Sequence, residues 1–242
     1  MAKRVSKMIE EQVQFWALKN SGASLNAGHD KLPVITISRE FGAKGAALAE
    51  MLGERLGFKV WDKELLDIIS KKLGTNQDFT SSLDENRRNM VEDAIFGFMN
   101  HKGTNLNYLI YLVRAVHAIE RLGNSIIVGR GANYICQNPD TLNVRVVAPI
   151  KDRIADYAAN NDLTKEQALI IVKQKDTERA NFSGYNFNRD ITNASDYDLL
   201  LNSSVFSIEH MAELVIAAYK QKTGKSIRIA EVSIWASRVA EL

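Results

Sequence analysis

The chain has 242 residues, and its 31 Lys and Arg residues against 29 Asp and Glu residues give a formal net charge of +2. With 45% apolar and 25% charged residues, the composition is that of a globular protein and excludes intrinsic disorder of the whole chain. The small charge surplus argues against nucleic acid as a partner, because a dedicated binder usually carries a basic stripe. It remains compatible with a pocket in which a few cations converge.

Cysteine usage and hydropathy exclude further classes. Cys136 is the single cysteine, so an internal disulfide and a multi-cysteine zinc site are both excluded. We expect a reducing compartment, that is a cytoplasmic location. No apolar run reaches the roughly 18 residues that a membrane span requires, so we expect no membrane partner. The four histidines lack the spacing of metal ligands, and we expect no metal site built by side chains.

Apolar residues at helical spacing predict an amphipathic helix near the N-terminus, and a Ser-, Gly- and Asn-rich linker follows it. We divide the chain into this N-terminal helix with its linker, a main domain and a C-terminal tail: residues 1–31, 32–222 and 223–242. The N-terminal helix could join two copies of the chain into a homo-oligomer. Within the main domain, we expect a helical insert over 75–107 and a helical lid over 151–195.

Strand-like and helix-like segments alternate through the main domain. Five short apolar runs predict buried strands: residues 33–37, 58–61, 125–129, 144–148 and 197–201. The alternation predicts an α/β fold, with a five-stranded parallel sheet covered by helices on both faces. In such sheets, ligands bind beyond the carboxyl ends of the strands.

Local signals mark helix ends and one segment without a clear helical pattern. The Thr164-x-x-Gln167 pattern predicts a capping box at the start of a helix. The aromatic residues of FSGYNFN, namely Phe182, Tyr185 and Phe187, fall in a segment that we interpret as a loop. They could stack on a base or simply pack within that loop.

The loop after the first strand reads SREFGAKG and combines glycines with two cations, Arg39 and Lys44. Glycines let a backbone approach a phosphate, and the next helix N-terminus offers amide donors. The pattern is not a P-loop of the GxxxxGK[ST] type: aligned without gaps, Gly45 takes the Lys position and Ala46 the Ser/Thr position. A plain strand-to-helix turn with surface cations explains the local chemistry equally well.

Three further segments carry charged residues at positions suited to a ligand. Arg130 lies in a GRG segment after the third strand, and arginine can bind phosphate through two parallel hydrogen bonds. A structural salt bridge is the alternative. Asp176 and Arg179 share one helix face, either in a site or as an exposed ion pair. Asp62 follows the second strand, where it could equally cap a helix.

Five segments occur in order: ITISREFGAKGAALAEMLGERLGFKVWDKELLDII, SIIVGRGANYI, VRVVAPIKDRI, KDTERANF and YDLLLNSSVFSIE. Together they resemble the cytidylate-kinase-like family of P-loop nucleoside-monophosphate kinases, over about residues 33–220. The resemblance implies a P-loop NTPase-type three-layer sandwich with a lid. It also implies phosphoryl transfer from ATP, with Mg²⁺, to a (deoxy)cytidylate-like acceptor. A non-catalytic nucleotide sensor or scaffold on the same fold is the alternative.

The resemblance assigns roles to residues of this sequence. Arg130 matches the arginine that grips the acceptor phosphate, and Asp62 the Asp at the mouth of the acceptor-binding segment. Asp176 and Arg179 match the acidic–basic pair that closes on the acceptor nucleotide. Arg153 falls where family members carry arginines near the transferring phosphoryl group. The ATP phosphates would lie over Arg39, Gly42, Ala43, Lys44, Gly45 and Ala46.

The sequence departs from the family pattern at three positions. In the relatives this loop commonly reads SRE-(aromatic)-G-x-G-G-R, whereas here Lys44 replaces a glycine and Ala46 replaces the arginine. Lys44 would then stand in for the missing cation, and we expect it to be catalytic together with Arg130 and Arg153. Ala46 also lacks the hydroxyl that contacts Mg²⁺. Gly131 replaces the carboxylate that helps cytidylate kinases proper to select cytosine.

Overall fold

The computed structural model describes residues 32–64, 66–67 and 106–227. The predictions of an N-terminal helix and linker and of an oligomer contact through that helix concern residues outside these ranges. The insert expected over 75–107 lies almost wholly outside them, and the C-terminal tail is described only as far as Ile227, which is buried.

Five parallel strands form one sheet in the order β2-β3-β1-β4-β5. Their bounds are β1 Val34–Arg39, β2 Lys59–Trp61, β3 Ser125–Val128, β4 Leu142–Val147 and β5 Leu199–Asn202. β1 is the central strand, and its last residue, Arg39, is paired with Val146 of β4. The carboxyl end of β1 therefore lies between those of β3 and β4, which confirms the predicted parallel α/β sheet.

Helices follow the strands in the expected alternation. Those within the described ranges are α1 Gly45–Leu56, α2 Leu106–Leu122, α3 Ala132–Ile135, α4 Ile150–Asn160, α5 Lys165–Phe187 and α6 Ile208–Thr223. A short 3-10 turn, Ala194–Asp196, precedes β5. Within this part of the chain, no helix is both long enough and apolar enough to cross a membrane.

The two faces of the sheet bury separate apolar clusters because successive strand residues point to opposite sides. Ile35 and Ile37 of β1 pack on one face in a cluster to which α1 and α6 contribute. Val34 of β1 and Ile127 of β3 pack on the other face with residues of α2. Each fully buried aliphatic side chain contributes roughly 1.5–3 kcal/mol. The result is the three-layer arrangement that the sequence predicts.

The start of α5 confirms a local prediction, and its end corrects one. Thr164 accepts a hydrogen bond from the Gln167 N–H at 3.2 Å while the Gln167 side chain accepts from the Thr164 N–H at 2.9 Å. The segment expected to be a loop is instead the last part of α5, which runs on to Phe187 and ends at Asn188 in a left-handed conformation. Burial of Phe187 against the end of β3 outweighs the weak helix propensity of Gly184.

Candidate active site

The loop between β1 and α1 adopts left-handed backbone conformations at two positions. Gly42 has φ 81°, and Lys44 has φ 60° as the N-cap of α1. A left-handed residue with a Cβ costs roughly 1–2 kcal/mol, which a glycine at position 44 would avoid. The helix carries no side-chain cap, so its first amide groups remain for a ligand or water. Gly42 also lets α4 approach, since a Cβ there would lie 3.2 Å from Cβ of Arg153.

Three consecutive residues after β3 are left-handed. Gly129, Arg130 and Gly131 have φ values of 79°, 53° and 67°. Such strain in a non-glycine residue persists only where its surroundings enforce it, and it is frequent at functional sites. The turn places Arg130 two residues beyond the carboxyl end of β3.

Arg130 is held by a carboxylate and by aromatic rings. Its Nε and Nη2 donate to the two oxygens of Asp67, at 2.9 Å and 2.5 Å. The Tyr108 hydroxyl donates to the same Asp67 at 2.6 Å. The guanidinium lies 4.8 Å from the ring centre of Phe182 and 5.8 Å from that of Tyr108. The predicted acceptor-side arginine therefore lies between Asp67 and two aromatic rings, with two of its donors engaged.

Arg39 crosses from β1 to the end of β3. Its stem lies on Gly45, where an added Cβ would be 2.7 Å from the Arg39 Cβ. Its guanidinium lies over Gly129, where an added Cβ would be 3.3 Å from Cζ and closer still to Nη1. Burial and the positive charges of Arg179 and Arg130 lower the pKa of Arg39 to about 10, against the opposing effect of Asp62.

Arg153 of α4 and Asp176 of α5 join these two helices to the β1–α1 loop. Asp176 accepts from the backbone N–H of Phe41 at 2.7 Å and from Arg153 Nη1 at 2.5 Å. Arg153, only 5% exposed, also donates to the carbonyl oxygens of Phe41 and Ala148 at 3.0 and 2.9 Å. Its Nε lies 3.5 Å from a Glu40 carboxylate oxygen. Arg153 is therefore a buried residue that connects α4, α5 and the β1–α1 loop, and its hydrogen bond holds Asp176 in position.

Arg179 lies one turn after Asp176 and meets the same loop. Its Nη1 donates to the carbonyl oxygen of Arg39 at 3.0 Å, and its guanidinium lies 5.4 Å from the ring centre of Phe41. Burial lowers its pKa, and the nearby positive charges of Arg145 and Arg153 act in the same direction. The sequence pairing of Asp176 and Arg179 on one helix face therefore brings both residues to the predicted phosphate loop.

The remaining predicted residues differ in their exposure. Lys44 Nζ is 3.3 Å from an Asp156 oxygen in α4, and both side chains are about half exposed, so the pair contributes little. Asp62 follows β2 and is exposed, and its carbonyl oxygen accepts from the Leu66 N–H at 3.0 Å in a helical turn. Its charge nevertheless acts on Arg39. Ala43 is buried, and Ala46 is exposed in the first turn of α1.

Two residues of this site were not predicted from the sequence. Arg145, in the middle of β4, is 4% exposed, donates to Ser38 Oγ at 3.0 Å and stacks on Tyr197 at 5.4 Å. Among the residues that the structure describes, no carboxylate lies within 4 Å of it. A charged residue in the apolar run VRVV was the signal for Arg145. Asp67, the second residue, lies five positions after Asp62, and no local pattern marks it.

At Gly131, where the family resemblance implies a base-selecting carboxylate, the Phe187 ring of α5 occupies the space that a side chain would need. A Cβ at Gly131 would overlap the Phe187 ring, with Cζ only 2.7 Å away. Phe187 is buried and packs 5.5 Å from Tyr134 and 6.0 Å from Phe182, measured between ring centres. No side chain fits at position 131 while α5 keeps this place.

The site suits nucleotide phosphates better than a protein-held magnesium ion. Ala46 offers a methyl group where a P-loop offers the hydroxyl that binds Mg²⁺. The carboxylates of Glu40 and Asp176 are engaged with Arg153. In the described ranges, no group of three His, Cys, Asp or Glu residues could hold a metal. These residues therefore do not fit the magnesium site of a P-loop, whereas the glycines and arginines fit phosphate.

Comparison with known proteins identifies a matching family and individual relatives of this chain. A family model described as "Cytidylate kinase-like family" matches residues 34–205. The cytidylate kinase of Pyrococcus horikoshii is 30% identical over 96 residues, 40% of this chain and 50% of that protein. The match thus spans half the length of that relative. The cytidylate kinase of Methanoregula boonei is 26% identical over 189 residues, 77% of this chain and 94% of that protein.

A solved structure shares the fold. The crystal structure of an uncharacterized protein from Eubacterium ventriosum aligns with a TM-score of 0.63 at 19% identity. The alignment covers 79% of this chain and 99% of that one. At this identity the likeness establishes a common fold and no shared chemistry.

Proposed function

Because the chain belongs to the cytidylate kinase-like family, we propose that it transfers a phosphoryl group from ATP to a nucleoside monophosphate. The observation that carries the proposal is the convergence of Arg39, Arg130 and Arg179 at the carboxyl ends of β1 and β3, where the positive charges of Arg179 and Arg130 lower the pKa of Arg39. Cytidylate and deoxycytidylate are the first acceptors to test, since both matched enzymes are named cytidylate kinases.

Phosphoryl transfer requires positioning and positive charge more than a covalent nucleophile. In the proposed arrangement the ATP phosphates lie over residues 39–46, where the left-handed loop and the uncapped start of α1 present amide groups. The acceptor phosphate meets Arg130 and Arg179. Arg153 holds Asp176 on the loop, so that α4 and α5 cover the reacting groups and exclude water.

A nucleotide sensor without catalytic activity is a second candidate on the same fold. It is favoured by the engagement of the site's own groups: Asp67 takes two donors of Arg130, and Asp176 takes the Phe41 N–H. The replacement of the usual loop residues at Lys44 and Ala46 points in the same direction. The two candidates differ in turnover and agree in nucleotide binding.

The test is a thermal shift with ATP and ADP, followed by a coupled assay with CMP, dCMP, UMP, AMP and GMP. We expect both adenine nucleotides to raise the melting temperature and CMP or dCMP to give the highest rate. Binding without turnover for any acceptor would identify the sensor. No shift with any nucleotide would contradict both candidates.

The proposal includes a cytoplasmic location. A chain with a single cysteine cannot form an internal disulfide, the bond that proteins of oxidising compartments commonly carry. It also includes association of two copies through residues 1–19. The mass in solution, measured with and without those residues, tests that association: a dimer that persists after the truncation would contradict it.

A further inference from the structure

The first turn of α1 lacks the hydroxyl that a P-loop kinase offers its metal ion, because position 46 is alanine. Such enzymes bind Mg²⁺ through a loop Ser or Thr hydroxyl and an acidic side chain. Here position 46 is alanine and β3 runs into Gly129. A cationic side chain, Arg39, covers this gap between the two strand ends.

Two glycines make room for Arg39. A Cβ at Gly45 would lie 2.7 Å from Cβ and 2.9 Å from Cγ of Arg39, so any side chain there would displace the stem. A Cβ at Gly129 would overlap Nη1 and lie 3.3 Å from Cζ, so any side chain there would displace the guanidinium. The path of Arg39 is thus fixed at both ends, which is the geometry of a built binding group rather than of a free surface side chain.

The Arg39 guanidinium has no carboxylate in direct contact in the part of the chain that the structure describes. No hydrogen bond or ion pair within 4 Å engages its guanidinium there, and the charge of Asp62 partly opposes the lowering of its pKa. Burial and two neighbouring arginines, Arg179 and Arg130, depress its pKa to about 10. A buried cation among cations is costly unless an anion joins them. A nucleotide phosphate beside Arg39 would supply that anion.

We propose that Arg39 binds the nucleotide phosphates directly and carries the charge that a loop-held magnesium ion supplies elsewhere, so that nucleotide binding needs no divalent cation. The planar guanidinium can donate two parallel hydrogen bonds to a phosphate and stays charged at neutral pH. The inference rests on the proposed nucleotide binding, and it goes further by assigning the role of the metal in binding to a side chain.

Calorimetric titration of the full chain with ADP, in excess EDTA and in excess Mg²⁺, tests the inference. We expect the two dissociation constants of the unaltered protein to agree within about threefold. Arg39→Gln should weaken ADP binding in EDTA by tenfold or more, and Mg²⁺ should restore part of the lost affinity. Arg189→Gln is the matched control, because Arg189 is 56% exposed and loosely paired with Asp196 at 3.8 Å.

Loss of ADP binding by the unaltered protein in EDTA would overturn the inference, and so would an Arg39→Gln protein that binds like the unaltered one. If Arg39→Gln fails to fold, Arg39→Met, which keeps the length of the stem and removes the charge, decides. A loss of affinity in EDTA that Mg²⁺ reduces supports the inference, and unchanged affinity contradicts it. Turnover combined with strictly magnesium-dependent ADP binding would support the proposed kinase activity and contradict this inference. Metal-independent ADP binding without turnover would support this inference and contradict the kinase activity.

Discussion

Arg130 donates from Nε and Nη2 to the two carboxylate oxygens of Asp67, at 2.9 Å and 2.5 Å. The residue that we assign to the acceptor phosphate therefore already holds an anion in bidentate geometry. A carboxylate and a phosphate present similar oxygen pairs to a guanidinium. Asp67, steadied by the Tyr108 hydroxyl at 2.6 Å, thus occupies the donors that the acceptor would use.

We predict that Asp67→Asn lowers the KM for the acceptor several-fold and changes kcat little, because the neutral amide competes less well for Arg130. Initial rates over a range of acceptor concentrations give both constants. Asp198→Asn is the control, since Asp198 pairs with Lys222 at 2.6 Å away from the arginine cluster. A rise in KM would instead show that Asp67 holds Arg130 in its productive orientation.

Replacing Arg130 itself separates the acceptor from the donor. Arg130→Ala should lower acceptor turnover by about 100-fold or more while ATP binding stays largely intact, because the lost donors face the acceptor phosphate. Turnover is followed by the coupled assay and ATP binding by calorimetry. Arg189→Ala should leave both unchanged. An unaltered rate in Arg130→Ala would remove the acceptor-site assignment.

Gly131 is predicted to tolerate no side chain. Gly131→Ala should lower the free energy of unfolding by about 2–4 kcal/mol, because it combines a left-handed alanine with overlap onto Phe187. Urea unfolding measures the loss. Gly184→Ala is the matched control: it lies within α5 with nothing within 4 Å of an added Cβ, so it should raise stability by up to about 1 kcal/mol. Equal effects at both positions would refute the packing argument.

Lys44 combines backbone strain with a charge, and two substitutions separate them. Lys44→Gly removes both and should raise stability by up to about 1 kcal/mol, whereas Lys44→Ala keeps the strained backbone and should not. Both should weaken ATP binding several-fold if the ammonium group replaces the usual loop cation. Thermal unfolding and ATP titration measure the two effects. Unchanged ATP affinity and turnover in both variants would contradict a role for Lys44 in the site and limit it to the surface ion pair with Asp156.

We predict that Glu120 contributes to the free energy of unfolding in a pH-dependent way. Burial alone would raise its pKa, but hydrogen bonds from His117 and from the N–H groups of Asn138 and Gln137 outweigh burial and lower it. A depressed pKa in the folded state stabilises the fold above the unfolded pKa, and the contribution is lost as the pH falls through the folded value.

Glu120→Gln should therefore cost about 1–3 kcal/mol at pH 7, and the difference from the unaltered protein should shrink below about pH 4. Urea unfolding at several pH values provides the comparison. Glu213→Gln, at a side chain 66% exposed, should show neither effect. A cost that is constant with pH would assign the role of Glu120 to its shape rather than to its charge.

The sheet was predictable because buried parallel strands appear as short apolar runs between glycine-terminated helices. β1 and β3 are such runs, and Gly57, with φ 65°, ends α1 where the pattern places the end. The end of α5 was not predictable in this way. Gly184 and the neighbouring asparagines favour a loop locally, and only the contact of Phe187 with Gly131 shows why the helix continues.

The candidate site was predictable only where a residue type and its local position coincide. Arg130 follows a strand within a GRG turn, and its pattern shows it. Asp67 reaches Arg130 from 63 positions earlier in the chain, and no local pattern records such a pairing. Arg145 occupies a place in β4 that an apolar residue would fill equally well by periodicity. Its contacts are with Ser38 and Tyr197, which only the folded sheet brings beside it.

The central position of β1 has a consequence for synthesis of the chain. β1 pairs with β3 on one edge and with β4 on the other, and β3 begins about 90 residues after β1. At translation rates of about 5–20 residues per second, a nascent chain carries β1 for roughly 5–20 s before its first neighbour is made. For that interval an apolar strand has two unpaired edges, which can pair with another chain and so favour aggregation. Ribosome-bound chains that end before Ser125 should therefore depend most strongly on chaperones.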